Sequence, residues 1–178
     1  MLLKDSVWHK GYAIKTKGVE IVENYTAKDV LEMAVKAKSK GVDMYMALAR
    51  NSENYHVSNL FAEMAKDEQH HKIELQKWMA SIKEEGQKEA YPGERSLFLQ
   101  ALADKNAYHC NEATKKALEK TISEEDALKA GVTFEKDFML FLHEIKREVA
   151  SGGAKVIDKL IEDEMKHIRQ FFELSDKK

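Results

Sequence analysis

Hydrophobic residues recur every three or four positions along four long stretches of this sequence, with charged and polar residues between them. That spacing places side chains on one face of an α-helix, so each stretch predicts an amphipathic helix. Two stretches begin at sequences that resemble capping boxes, at 26–29 and 123–126. The pattern predicts an all-α fold in which two helical hairpins cover 27–86 and 123–175, with Gly86 ending the second helix.

Residues 87–122 connect the two hairpins and are too many for a turn between antiparallel neighbours. The segment holds a short helical pattern and an apolar patch at 97–99, so we expect a crossover with short helices that crosses the bundle or reaches another subunit. Because this apolar patch offers a contact surface, we expect a homodimer. Residues 1–26 fit either a short helix or a strand-like arm without predicted chemistry, and we expect one domain over 1–178.

Composition and charge narrow the classes of function. A chain of 178 residues with 43% apolar and 34% charged side chains suits one globular domain. Its 29 basic and 31 acidic residues give a formal charge of -2 and form no basic stripe, which argues against nucleic-acid and anionic-membrane partners. We expect the protein to lie in the cytoplasm, because its sequence contains neither a membrane-length apolar stretch nor a signal-peptide pattern. The single Cys110 forms neither an internal disulfide nor a cysteine-based metal site.

Two Glu-x-x-His sequences lie on the predicted hydrophobic faces: Glu68 with His71, and Glu164 with His167. Three residues of helix make nearly one turn, so each pair projects a carboxylate and an imidazole toward one point, as metal ligands do. An ionised carboxylate on a hydrophobic face is costly unless a cation compensates it. A single Glu-x-x-His is usually a solvated pair, but two on core faces, with Glu135 on a third, predict metal binding.

The two hairpins also resemble each other in sequence. A shift of about 96 or 97 residues superposes one on the other and aligns both Glu-x-x-His pairs. The same shift aligns Asp67 with Asp163 and Lys38 with Glu135. Such a repeat implies pseudo-twofold symmetry, with a site at the axis that takes equivalent ligands from both halves.

These stretches resemble the rubrerythrin branch of the ferritin-like di-iron carboxylate superfamily. The resemblance covers just over half of the chain and is carried by Ala34, Gly41, Tyr45 and Ala65-Lys-Asp-Glu-Gln-His-His71 within 30–79, and by Ala127-Leu-Lys129, Glu135-Lys-Asp137 and Ile161-Glu-Asp-Glu-Met-Lys-His167 within 127–171. It implies a ferritin-like four-helix bundle of two hairpins joined by a long crossover connection. It also implies iron as the cofactor, with manganese as an alternative, and an oxidoreductase that uses peroxide or dioxygen and an external electron donor.

The resemblance assigns the metal ligands by position. Glu68 and Glu164 would bridge two metal ions. His71 and His167 would each bind one of these ions, and Glu135 would be the terminal carboxylate of the third helix.

The first helix departs from this pattern, because Lys38 stands at the position equivalent to Glu135 and no acidic residue lies one turn to either side. A protonated ammonium cannot bind a metal, so the ion beside His71 would lack a ligand. Three carboxylates with Lys38 sum to a charge of about -2, enough for one divalent ion. Lys38 therefore substitutes for a ligand or a metal charge, unless its ammonium reaches solvent. Tyr45 either hydrogen-bonds a ligand carboxylate or packs in the core.

Two further family features are missing from this sequence. Rubrerythrins carry another acidic residue one turn along the third helix, where this chain has Phe138 and Met139, and a rubredoxin-like cysteine module that delivers electrons. Three functions are therefore open: an oxidoreductase, a non-catalytic metal-binding or storage protein, and a degenerate structural bundle. In the last of these, Lys38 would bridge Glu68 and Glu164 without metal.

Overall fold

Helices account for most of the structure, a computed structural model that describes residues 15–16, 19–20, 25–82, 93–146 and 151–175. Among these residues the helices are α1 (Ala27–Asn51), α2 (Tyr55–Ser81), α3 (Gly93–Leu118), α4 (Glu124–Lys146) and α5 (Ser151–Ser175). A two-residue antiparallel ladder, β1 (Lys15–Thr16) with β2 (Val19–Glu20), precedes them. The all-α prediction is confirmed, and of the two alternatives for the N-terminal segment these four residues form the strand-like one.

Polar side chains set the helix starts where the sequence analysis placed them. Thr26 accepts a hydrogen bond from the Asp29 amide, and Asp29 accepts one from the Thr26 amide, which completes a capping box before α1. Ser123 accepts from the Asp126 amide at the start of α4. The predicted end of the second helix is different, because α2 ends at Ser81, and Gly86 lies outside the described residues.

The crossover holds one long helix where the sequence predicted short ones. Helix α3 packs along α1 and α4, so the connection crosses its own bundle. Its buried face carries small or polar residues, among them Ser96, Asn106 and Ala117, which weakened the hydrophobic periodicity. Within the apolar patch Leu99 is buried, whereas Leu97 and Phe98 are exposed. The homodimer stays a prediction.

The helices form the predicted ferritin-like bundle, in which α1 pairs with α2 and α4 pairs with α5. Two hydrophobic clusters fill it, one containing Tyr45 and Phe171 and the other containing Leu31 and Phe138. Each of the four bundle helices contributes residues to both clusters, and a buried charged residue separates the two contributions along the helix. On α1 this residue is Lys38. None of the described helices combines the length and apolarity that crossing a membrane requires.

Candidate metal centre

Six polar side chains meet at the junction of the two hydrophobic clusters. Helix α1 contributes Lys38, α2 contributes Glu68 and His71, α4 contributes Glu135, and α5 contributes Glu164 and His167. The lysine and the three glutamates have no exposed surface, and the two histidines are 5% and 4% exposed. The structure therefore brings every residue that the sequence analysis named as a candidate ligand into one buried group.

In both Glu-x-x-His pairs, the Nδ1 atom of the histidine faces carboxylates. His167 Nδ1 lies 3.2 Å from Glu164 Oε2 and 3.3 Å from Glu135 Oε1. His71 Nδ1 lies 3.3 Å from Glu164 Oε1 and 3.5 Å from Glu68 Oε1. Neither Nδ1 forms a hydrogen bond within the described structure, and the ring centroids are 5.7 Å apart. The two imidazoles thus meet at Glu164, one beside each of its oxygen atoms.

Lys38 lies inside this group and not at the surface. Its Nζ donates hydrogen bonds to Glu164 Oε1 at 2.6 Å and to Glu68 Oε1 at 2.8 Å. The same atom lies 3.9 Å from the centroid of the Phe138 ring and 5.3 Å from that of Phe134. Burial lowers the pKa of Lys38, but the charges of Glu164 and Glu68 outweigh that effect and raise it above its ordinary value, so the ammonium is retained. The alternative in which the ammonium reaches solvent is wrong.

Tyr45 makes a hydrogen bond to a candidate ligand carboxylate. Its hydroxyl donates to Glu135 Oε1 at 2.6 Å, and its ring packs against Phe61 and Phe171. Both roles proposed from the sequence are therefore combined in one side chain. Burial, together with the charge of Glu164, raises the pKa of Glu135 to about 8.

Two aspartates support the histidines from the opposite hairpin, and the sequence analysis did not assign them a role. His167 Nε2 lies 3.3 Å from Asp67 Oδ2, and His71 Nε2 lies 3.5 Å from Asp163 Oδ2. Because a carboxylate only accepts hydrogen bonds, His167 Nε2 donates to Asp67, and Nδ1 of the neutral ring is left for a metal. The alignment of Asp67 with Asp163 in the repeat was the signal that could have found them.

The carboxylates also control the protonation of the two imidazoles. Burial lowers the pKa of both rings, but the nearby carboxylates outweigh it. Glu164 and Glu68 raise the pKa of His71 to about 9, whereas Glu135 and Glu164 raise the pKa of His167 to about 11. An imidazole binds a metal only when it is neutral, so an entering ion has to displace a proton.

Comparison with known protein families agrees with this geometry. The family model Rubrerythrin matches residues 29–175, which cover the five helices of the described structure except the first two residues of α1. The chain belongs to the rubrerythrin family. No curated protein and no solved structure gave a significant match.

The His167 side of this rubrerythrin-family site fits a metal ion. Glu68, Glu135, Glu164 and His167 each offer one ligand atom, and these four atoms lie within 4.8 Å of one another. The Oε2 atoms of the three glutamates and the Nδ1 atom of His167 are buried and accept or donate no hydrogen bond within the described structure. Three carboxylate oxygens and one imidazole nitrogen suit iron or manganese.

The His71 side does not fit an ion in the same way. The two oxygen atoms nearest to His71 Nδ1 are the Oε1 atoms of Glu164 and Glu68, and both accept hydrogen bonds from Lys38. A positive ammonium at this point repels a second cation. His71 also lies outside the group of four residues whose ligand atoms converge. The rubrerythrin family binds two ions at this site, and the residues present here supply ligands for only the ion on the His167 side.

Proposed function

We propose that this protein is an iron-dependent oxidoreductase that reduces peroxide or dioxygen with electrons from an external donor. The observation that carries the proposal is the convergence of Glu68, Glu135, Glu164 and His167, each of which also has a buried side-chain atom that forms no hydrogen bond within the described structure. Leaving such atoms without partners costs folding free energy, and a bound cation would satisfy all of them. Membership of the rubrerythrin family supports iron as the cation, with manganese as the alternative.

The side chains around the proposed ion hold it and exclude water. Tyr45 fixes Glu135 through the hydrogen bond to Oε1 and leaves Oε2 free for the ion. Asp67 fixes the ring of His167 from behind. The complete burial of the glutamates keeps the carboxylates in a medium of low polarity, where they bind a cation strongly. The bound iron supplies redox chemistry that the amino acids lack.

Electron balance makes the external donor part of the proposal. Reducing hydrogen peroxide to two waters consumes two electrons and two protons, and one iron ion changes by one electron at a time. Cys110 is the sole cysteine of the sequence and is buried, so it cannot form a rubredoxin-type centre. We therefore expect turnover only when a reductant is supplied in solution.

Single and multiple turnover assays test this function. Iron-loaded protein is reduced without oxygen, mixed with peroxide and followed optically, first alone and then with excess reductant. We expect oxidation of the iron and repeated consumption of peroxide. Glu135→Gln removes a proposed ligand charge and should abolish turnover, whereas Glu173→Gln on the exposed face of α5 should not change it. Iron-loaded protein that turns over with no supplied reductant would contradict an external donor, and absence of turnover with any reductant would contradict the function.

The buried Lys38 supports a second candidate function, that of a helical bundle that catalyses no reaction. Its two buried hydrogen bonds partly neutralise Glu68 and Glu164 in the absence of a metal. Such a protein would either hold a metal without redox turnover or use Lys38 alone as a structural cation. Rapid multiple turnover rules against the first form, and stoichiometric metal that survives extensive dialysis rules against the second.

A further inference from the structure

Lys38 occupies a position that the repeat assigns to an acidic residue. The position equivalent to it in the other hairpin is Glu135, which lies close to the same two glutamates. Lys38 Nζ lies within hydrogen-bonding distance of both Glu68 and Glu164. A cation is therefore already present at one of the two places where this fold would hold one.

We propose that the Lys38 ammonium takes the place of one of the two metal ions, so that this protein binds a single ion on the Glu135 and His167 side. The proposal rests on the metal binding in the proposed function, and it adds the number and the location of the ions. It makes Lys38 a fixed positive charge of the site and leaves His71 without a metal.

Glu68 and Glu164, which by family resemblance would bridge two ions, each place their two oxygen atoms in different surroundings. The Oε1 atoms of Glu68 and Glu164 accept hydrogen bonds from Lys38, whereas both Oε2 atoms are buried and accept no hydrogen bond within the described structure. A carboxylate that bridges two metal ions gives one oxygen to each of them. Here each carboxylate gives one oxygen to the ammonium and keeps the other for an ion.

Aromatic rings close the space around the ammonium. With two of its three N–H groups donated to glutamates, Lys38 Nζ lies 3.9 Å from the centroid of Phe138. A ring at this distance attracts a buried cation through its π electrons. Phe138 and Met139 lie where rubrerythrins carry a further acidic ligand, so the ammonium is packed against a residue that cannot bind a metal. Both departures from the family pattern therefore favour a lysine over an ion on this side.

The formal charges agree with one ion. When the ligands are deprotonated, as metal binding requires, three carboxylates and one ammonium leave a charge of about -2, which one divalent cation neutralises. Replacing Lys38 by glutamate changes this sum to about -4, which two divalent cations neutralise. The substitution would also restore the missing ligand beside His71.

Titration of the whole 178-residue chain with Mn²⁺ tests the proposal. We expect one bound ion per chain in the unmodified protein, with the electron paramagnetic resonance spectrum of an isolated ion. Lys38→Glu should bind two ions per chain and show the spectrum of a spin-coupled pair. Lys38→Met removes the charge but adds no oxygen ligand, so this matched variant should bind no more than one ion.

Each result separates this proposal from the proposed function. Two bound Mn²⁺ ions in the unmodified protein would overturn the role of Lys38, whatever the activity. One ion per chain without any peroxide turnover would support the proposal and overturn the oxidoreductase. A folded Lys38→Glu protein that still binds one ion would overturn the proposal. If that variant does not fold, the stoichiometry and spectrum of the unmodified protein decide the question alone.

Discussion

The two hairpins of the bundle share a pattern but differ in how its charge is neutralised. Each carries Asp-Glu-x-x-His on its second helix, and each aspartate supports the histidine of the other hairpin. The difference lies on the first helix of each hairpin, where α1 has Lys38 and α4 has Glu135. One half therefore supplies a cation, and the other half supplies a further ligand for one.

This difference shows how one position can change a symmetric site without changing its fold. The oxygen atoms on the Lys38 side are held by hydrogen bonds, whereas those on the Glu135 side include unpartnered atoms. The backbone positions of the two halves stay equivalent, because each residue still lies at the centre of its helix. Substitutions on the Lys38 side and on the Glu135 side should therefore have different effects.

Lys38→Met should have the largest effect, measured as the free energy of unfolding of metal-free protein. The substitution keeps the buried stem but leaves Glu68 and Glu164 without the ammonium, and losing one partner of a buried ion pair costs about 3–5 kcal/mol. Urea denaturation in the presence of a chelator measures this loss. Lys36→Met is the matched control, because Lys36 lies on the same helix at 42% side-chain exposure and pairs with Glu32. The control should change stability by less than about 0.5 kcal/mol. Equal losses in the two variants would contradict a structural role for the buried ammonium.

Replacing each histidine in turn tests which half binds the ion. His167→Ala removes a proposed ligand and should weaken Mn²⁺ binding by more than about 100-fold, or about 2.7 kcal/mol. His71→Ala removes a residue that lies outside the converging group, so it should change the affinity by less than about threefold. Isothermal titration of both variants measures the difference. Similar losses in the two proteins would show that the site is symmetric in spite of Lys38.

The sequence predicted those features that depend on local pattern. The capping boxes before α1 and α4 and the two Glu-x-x-His pairs could be found because their partners are three residues apart. Helix α3 was underestimated, because its buried face includes Ser96 and Asn106 in place of hydrophobic residues. Short-range spacing identifies a helix only when its buried side is apolar.

Contacts between helices could not be predicted from spacing alone. The hydrogen bond of Lys38 to Glu164 joins residues that are 126 positions apart, and the Phe138 ring reaches the ammonium from a third helix. Whether a lysine on a hydrophobic face reaches solvent or turns inward depends on such contacts. The crossed aspartates depend on them in the same way, although the repeat aligned Asp67 with Asp163.

Alanine substitutions at two glycines should have an intermediate effect on stability, and they distinguish an effect on packing from an effect on metal binding. A Cβ at Gly41 would lie 2.5 Å from Phe134 Cζ and 2.9 Å from Glu68 Oε2, and one at Gly131 would lie 2.6 Å from Phe171 Cζ. Alanine has a higher helix propensity than glycine, but the cost of overpacking exceeds that gain. The free energy of unfolding of each alanine variant should therefore fall by about 1–2 kcal/mol. Gly41→Ala should also weaken Mn²⁺ binding by about tenfold, because it displaces a ligand oxygen. An equal effect of Gly131→Ala on binding would show that packing alone controls the affinity.

The two aspartates should give the smallest difference, because they act on the ion only through the histidines. Asp67→Ala frees the ring of His167, and the loss of such an outer partner typically weakens metal binding by about 10–100-fold. The Asp67 side chain is 49% exposed, so we expect about tenfold, or about 1.4 kcal/mol. Asp163→Ala frees only His71 and should leave the Mn²⁺ affinity within about threefold of the unmodified protein. Isothermal titration of the two variants makes this comparison, and a larger loss in Asp163→Ala would move the ion to the Lys38 side of the bundle.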